Sequence, residues 1–267
     1  HLPVVDARRR PLRIVLLDAL VGASPRHDAV IMAGGLGTRL RPYTETTPKP
    51  LLAVGGKPIL DHILGRVRDS GLADVVISVG YLADDIVAHV GDGDRYGLNV
   101  DYLAERERRG TAGALAQLSP RPTRPFLLMN ADLLTSMDFS RVFDFQRQEA
   151  YDLVMCVKKY GVDIPYGVVE LDGTAIRAVR EKPRHTCFVN TGIYVVSPRC
   201  IDLVPRAGYY DMTDLVQAAI AGGYRVGAFP LIEYWRDIGT PADLAAAADE
   251  AAMCGEAVWE EPLARSA

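Results

Sequence analysis

The 267-residue sequence contains no apolar run of the ~18 residues that a membrane span needs. Its first residues also lack an apolar segment followed by a small-residue cleavage site, so no secretory leader is expected and a cytoplasmic location is the default. A basic excess is missing: 30 Lys and Arg against 34 Asp and Glu leave a net charge of -4, which argues against bulk electrostatic capture of nucleic acid. Any positive cluster must therefore be local. Cysteine is scarce, with 4 in the chain, and Cys156, Cys187, Cys200 and Cys254 form neither a CxxC pair nor a Cys/His ligand spacing. This excludes a zinc site or disulfide framework of recognisable pattern and predicts reduced, mostly packed thiols. The 5 histidines, His1, His27, His62, His89 and His185, form no ligand pattern either. There is no internal repeat and no low-complexity linker. What is there is a composition of 49% apolar and 24% charged residues, in a chain long enough to bury a full core as one α/β domain with small additions.

Apolar runs alternate with helical patterns through the first half. "DAVIMAG", "ADVVISVG", "LNVDYLAE" and "RPFLLMNAD" read as strands that are apolar almost throughout. "KPILDHILGRVRDSG", "LADDIVAHVG" and "GTAGALAQL" read as the helices between them. Such strands predict a mostly parallel sheet covered on both faces, a Rossmann-like α/β fold with ligands at the carboxyl ends of the strands. Three strands end there in polar or glycine-rich sequence, at Gly34 to Lys49, Gly80 to Asp85 and Asn130 to Asp132. From about Tyr151 the texture becomes β-rich and more antiparallel, with "DLVMCVKKY", "YGVVELDG", "AIRAVREKP" and "CFVNTGIYVVS" on the same continuous sheet. Helical patterns return at "DMTDLVQAAIAGG" and "TPADLAAAADEAAM".

The loop after the first of these strands, "GGLGTRLRPYTETTPKPLL", concentrates the chemistry. Glycines at 34, 35 and 37 let backbone N–H groups approach phosphate oxygens closely. A glycine-rich turn can also be purely structural, and this one fits neither the P-loop nor the G-x-G-x-x-G fingerprint. Arg39 and a Lys49 framed by Pro48 and Pro50 weight the reading toward an anion site.

"GGLGTRLRPYTETTPKPLLAVGGKP" resembles the signature of the sugar-1-phosphate nucleotidyltransferases. The resemblance continues in order through "GTAGAL", "NAD", "YGVVE", "EKP", "NTGIYV" and "WRDIGTPAD", and covers about Ala29 to Asp249. Ala131 departs from it, where many members carry glycine before the aspartate. The resemblance implies that Arg39, Lys49, Asp132, Lys182 and Asp237 are catalytic. It places the nucleotide against Ala33, Gly34, Gly35, Leu36, Gly37, Thr38, Gly80, Gly110, Thr111 and Ala112, and the sugar against Tyr166, Gly167, Glu181, Lys182 and Asn190. Asp132 and Asp237 would share Mg²⁺ or Mn²⁺. Trp235 is expected to pack rather than stack on a ligand. The implied partners are a nucleoside triphosphate, with GTP ahead of UTP and dTTP, and a sugar 1-phosphate. No nucleic acid or membrane partner is expected, and a homo-oligomer is left open.

Residues 1–27, "LPVVDARRRPLRIVLLDAL" within them, resemble the closing segment of a CBS regulatory module, so that residues 28–267 would be the catalytic domain. An ordinary docked hairpin is the alternative. The expectation is a chain lacking part of an N-terminal regulatory region, and no hexapeptide repeat after Asp249 suggests a second C-terminal activity. Two other function classes remain: a non-catalytic nucleotide-sugar-sensing subunit, which would be expected to lose one of the charged residues retained here, and a glycosyltransferase, which would want a DxD motif where "NADLL" offers one aspartate.

Overall fold

The computed structural model describes residues 2–5, 11–15 and 28–254. Two short strands, β1 (Leu2–Val5) and β2 (Pro11–Val15), form an antiparallel hairpin with Leu2 opposite Val15. The expected strand, turn and strand of the N-terminal segment thus has its two strands, while the basic turn and the helix start lie outside the described residues.

Fifteen strands and six α-helices follow one another in the described residues. The remaining strands are β3 (Ala29–Ala33), β4 (Ala53–Val54), β5 (Lys57–Pro58), β6 (Asp74–Val79), β7 (Asn99–Ala104), β8 (Phe126–Asn130), β9 (Leu133–Thr135), β10 (Leu153–Asp163), β11 (Val168–Asp172), β12 (Ala175–Arg180), β13 (Arg184–Val196), β14 (Val226–Pro230) and β15 (Trp235–Asp237). The helices are α1 (Ile59–Asp69), α2 (Ala83–Val90), α3 (Gly110–Gly113), α4 (Ser140–Glu149), α5 (Met212–Ala221) and α6 (Pro241–Cys254).

The central sheet has 7 strands in the order β14-β10-β13-β8-β3-β6-β7. Its pairings leave β13 as the one strand running against the rest. The mixed, mostly parallel α/β architecture is therefore as expected, and the second half is less antiparallel within the sheet than its texture suggests. The antiparallel character sits instead in an arm. Beyond the part of β10 that pairs with β14 and the part of β13 that pairs with β8, these two strands pair only with each other, and the separate β11–β12 hairpin lies between them in the chain.

Alternate residues of β3 explain the two-sided core. Ala29, Ile31 and Ala33 join one apolar cluster, with Leu60, Ile63, Leu64 and Val67 of α1 and Ile86 of α2. Val30 and Met32 join the other, with Ala112 of α3 and Met212, Leu215 and Val216 of α5. A strand whose two faces are both buried must be apolar at every position, which is what "AVIMA" is. Cys156 and Cys200 are buried, and burial pushes the Cys200 thiol up to about 11. Cys187, on the arm, is exposed, because that part of β13 has no second layer over it.

Candidate active site

The parallel strands β3, β6 and β8 end on the same side of the sheet, and the loops beyond them form the site. Gly34 and Gly80 touch back to back: a Cβ on Gly80 would stand 3.0 Å from the Gly34 carbonyl oxygen. Gly37 has φ 62°, and a Cβ there would lie 2.9 Å from Thr44 Cγ2. The buried Thr44 hydroxyl donates to the Gly37 carbonyl at 2.8 Å, tying the loop back on itself. The glycines are thus needed for both the turn and the close approach of backbones.

Gly34 and Gly35 line a cavity of about 210 Å³ together with Gly110, Thr111, Asn130 and Asp132. Gly110 has φ 75° and sits against Asp211, whose Oδ1 accepts from the Thr111 N–H at 2.9 Å. Asp211 precedes α5 and forms a capping box with Asp214, so the start of α5 holds the Gly110 turn in place. Ala112 does not reach the cavity: it is fully buried and its N–H donates to the Tyr210 carbonyl at 3.0 Å. Its part is to fix the turn. Ala33, like Gly35, instead borders a smaller cavity of about 50 Å³ with Lys49, Pro50 and Asp132. Leu36, Thr38 and Gly80 line none of the cavities described here.

Two carboxylates far apart in sequence meet through a three-residue ladder. β15 pairs antiparallel with β9, Asp237 opposite Leu133, and the Ile238 N–H donates to the Asp132 carbonyl at 2.9 Å. Lys49 forms a largely buried ion pair with Asp132 through Oδ2. Asp132 Oδ1 is buried without a hydrogen-bond partner. Asp237 keeps solvent-accessible surface, yet surrounding atoms still hold its carboxyl above the ordinary range, desolvation first and the Asp132 carboxylate second, against the opposing pull of Lys49 and Arg39. These four side chains act on one another as a single charged cluster. An orphaned carboxylate oxygen beside a second, repelling carboxylate is a donor set that a hard divalent cation answers. Among the described residues no group of three or more His, Cys, Asp or Glu converges, so phosphate and water oxygens would complete the shell, as suits Mg²⁺.

Arg39 and Asp237 also line a cavity of about 490 Å³ with Lys158, Lys159 and Trp235 at the root of the arm. Burial lowers the Lys158 ammonium from its ordinary value, and its Nζ donates to the Glu233 carbonyl at 2.6 Å. The Trp235 indole, which lines this cavity, also packs against the core and donates to the Thr191 carbonyl at 2.9 Å. Of the residues anticipated for the sugar, Tyr166, Gly167, Glu181 and Lys182 come after the outer end of β10, whereas Asn190 opposes Val157 at the root of the arm. The Glu181 carboxylate faces Gly167, 3.1 Å from where a Cβ would be. Tyr166 is exposed, Asn190 donates to the Tyr194 hydroxyl at 2.5 Å, and Lys182 has φ 42°. None of Tyr166, Gly167, Glu181, Lys182 or Asn190 lines the three cavities above.

Four polar residues that the sequence reading passed over, Glu105, Arg108, Arg109 and Tyr209, belong to the first cavity. The first three come from an "ERERR" stretch that reads as a solvated charge run. A strand ending directly in a carboxylate, one residue after Ala104, is the signal that was available.

Known proteins resemble this chain in sequence and in fold. The chain is 32% identical over 227 residues to a mannose-1-phosphate guanylyltransferase from Mycobacterium tuberculosis, covering 83% of this chain and 63% of the relative. It is 35% identical over 227 residues to the UTP--glucose-1-phosphate uridylyltransferase AglF of Haloferax volcanii, covering 81% of this chain and 93% of that protein. The crystal structure of HddC from Yersinia pseudotuberculosis complexed with GMP-PN superposes with a TM-score of 0.63 at 26% identity, covering 84% of this chain and 99% of that one. The chain thus spans about three-fifths of the length of the first of these relatives. The family model for nucleotidyl transferases matches residues 28–253, which takes in the glycine-rich loop, both carboxylates and the whole central sheet, and the chain belongs to the nucleotidyl transferase family.

Proposed function

We propose that the chain transfers a nucleoside monophosphate, GMP from GTP in the first place, to the phosphate of a sugar 1-phosphate and releases pyrophosphate. The observation that carries this reading is the β9–β15 ladder, which sets Asp132 and Asp237 beside Lys49 and the glycine-rich loop. No Ser, Cys or His lines the three cavities, so none of them offers a Ser–His or Cys–His pair. The reaction needs none. A sugar phosphate has a second pKa near ~6 and is already an anionic nucleophile at neutral pH.

One phosphate oxygen of the sugar 1-phosphate attacks the α-phosphorus, the bond between that phosphorus and the bridging oxygen to the β-phosphate breaks, and the electron pair leaves with pyrophosphate. No proton has to move. The protein's work is positioning and charge neutralisation. Arg39 grips the triphosphate and its departing pyrophosphate, Lys49 draws the two reacting phosphates together, and Lys182 meets the sugar phosphate. The backbone of Ala33 to Thr38, with Gly80, Gly110 and Thr111, cradles the nucleotide while Ala112 fixes the turn from behind, and Tyr166, Gly167, Glu181 and Asn190 meet the sugar. Asp132 and Asp237 hold Mg²⁺ or Mn²⁺, which neutralises phosphate charge when bound. In the same reading residues 28–267 form the catalytic unit. Residues 1–27 close an N-terminal CBS module, an assignment carried by sequence resemblance.

Steady-state pyrophosphate release across the four ribonucleoside triphosphates and dTTP, each with mannose 1-phosphate and glucose 1-phosphate, tests the reading. GTP with mannose 1-phosphate is expected to exceed UTP and dTTP by at least ~10-fold in kcat/KM, about 1.4 kcal/mol of discrimination. Faster turnover with UTP, the substrate in the name of the Haloferax relative, would move the base assignment. No release with any pair would end it.

A further inference from the structure

We propose that Glu250 is a positioning residue for the carboxylate pair: it gathers Arg236 and Tyr234 and so fixes β15, the strand that brings Asp237 to Asp132. The inference rests on the assignment of a divalent cation to those two carboxylates and adds a residue that reaches them from α6. The ladder itself is a slight support. β9 and β15 pair over three residues a side and form a two-stranded sheet apart from the 7-stranded one. A two-stranded ribbon of that length has little stability of its own, so what holds Asp237 in place must come from outside the ladder.

Three ties reach the segment. The Trp235 indole donates to the Thr191 carbonyl on β13, and the Thr135 hydroxyl of β9 donates to the Tyr234 carbonyl at 2.7 Å. The third tie is Glu250. Its Oε2 accepts from the Tyr234 hydroxyl at 2.6 Å and from Arg236 Nε at 3.2 Å, and its Oε1 pairs with a terminal nitrogen of the same guanidinium. A carboxylate that meets a guanidinium through both oxygens fixes direction as well as distance. Burial, and then the bond to Glu250, holds the Tyr234 phenol up at about 12, so it remains a donor at neutral pH.

The chain between these partners is stiff. α6 begins at Pro241, and Thr240 and Asp243 close its first turn: the Thr240 N–H donates to Asp243 Oδ2 at 2.8 Å, and the Asp243 N–H donates to the Thr240 hydroxyl at 3.3 Å. Ile238 and Ala247 are fully buried in the same apolar cluster as Leu133 and Leu134 of β9. The Arg236–Glu250 pair therefore closes a ring of chain, with a capped helix seated on the core at one side and Asp237 at the other. Glu250 lines none of the three cavities of the site, so it acts through β15 and not on a ligand.

Equilibrium binding of Mn²⁺ to the full chain without nucleotide, followed by the electron paramagnetic resonance signal of free Mn²⁺, tests the tie independently of turnover. Glu250→Gln should weaken Mn²⁺ about tenfold, the scale on which losing an outer partner costs a metal site. Glu250→Asp keeps the charge but is too short to reach Arg236 and Tyr234 together, and it should weaken Mn²⁺ nearly as much. In an Asp237→Asn background, Glu250→Gln should change Mn²⁺ affinity by less than about twofold, because a residue that acts through Asp237 has nothing left to act on. Unchanged affinity in Glu250→Gln, or in Tyr234→Phe should the Glu250 variants not fold, would leave the tie a structural one and overturn the proposal. So would wild-type affinity in Glu250→Asp, which would assign the effect to charge at a distance, or a tenfold loss that persists without the Asp237 carboxylate. A wild-type protein that binds no Mn²⁺ would end the metal assignment and the proposal with it. Pyrophosphate release by the wild-type protein reports on the proposed reaction separately: Mn²⁺ binding that depends on Glu250, without release, would sustain the positioning role and end the reaction assignment.

Discussion

Asp132→Asn and Asp237→Asn should each lower kcat for pyrophosphate release by at least ~100-fold, in keeping with the several kcal/mol of charge stabilisation that a metal site supplies. Excess EDTA should abolish turnover of the wild-type protein, and Mg²⁺ or Mn²⁺ should restore it. The two variants should part company in stability. The Asp237 carboxyl is held above its ordinary range by desolvation and by Asp132, so its favourable contribution is complete below the unfolded-chain value and is lost as pH rises through the folded one. At neutral pH its ionised form therefore opposes folding, and Asp237→Asn should melt at or above the wild-type temperature in metal-free buffer. Asp132→Asn removes the partner of a largely buried ammonium and should melt lower. Thermal melts beside steady-state kinetics separate loss of chemistry from loss of fold. Full activity in EDTA would remove the metal assignment, and matching melting shifts would contradict the electrostatics.

Arg39→Ala should depress kcat by ~100-fold or more, the scale of losing one donor to a developing transition-state charge. Arg39 stands at the mouth of the site, its guanidinium 3.4 Å from where a Cβ on Gly239 would be, and its charge is felt at Asp237. A guanidinium meets phosphate oxygens through a planar fork, whereas lysine offers a point charge on a flexible stem, so Arg39→Lys should recover only part of the loss. If the benefit arises as charge builds on pyrophosphate, KM for the triphosphate should move much less than kcat. Lys49→Ala should differ, raising KM for the sugar 1-phosphate as well as lowering kcat, because a lysine that gathers both phosphates acts on the bound ground state too. An Arg39→Ala variant with wild-type kcat would reduce the glycine-rich loop to a structural turn.

Much of the sheet was legible because the inner strands are buried on both faces: "AVIMA" and "FLLM" admit no polar residue, and short apolar runs bounded by turn residues read as buried strands. α4 was not, since "SRVFDFQRQE" is polar along most of its length and buries only Val142 and Gln146. Asp132 and Asp237 could be picked out one by one, but the β9–β15 ladder that joins them spans three residues a side and is set by tertiary packing. Ala112 illustrates the converse. Its place in the "GTAG" turn suggests contact with the nucleotide, and the packing of α5 turns it inward. Glu105 and Asp211 escaped notice because a carboxylate at a strand end or before a helix is ordinarily a solvated residue or a cap, and only the fold shows what each one faces.

The central claim is that the nucleotide's α-phosphorus is transferred to a sugar phosphate, and the fate of that atom tests it most directly. GTP labelled at the α-phosphorus should be incubated with mannose 1-phosphate, Mg²⁺ and the wild-type protein. The label should appear in a sugar nucleotide, with GTP labelled at the γ-phosphorus giving all of its label to pyrophosphate under the same conditions. Label from the γ-position on the sugar, or α-label released as free GMP with no sugar nucleotide formed, would contradict the account.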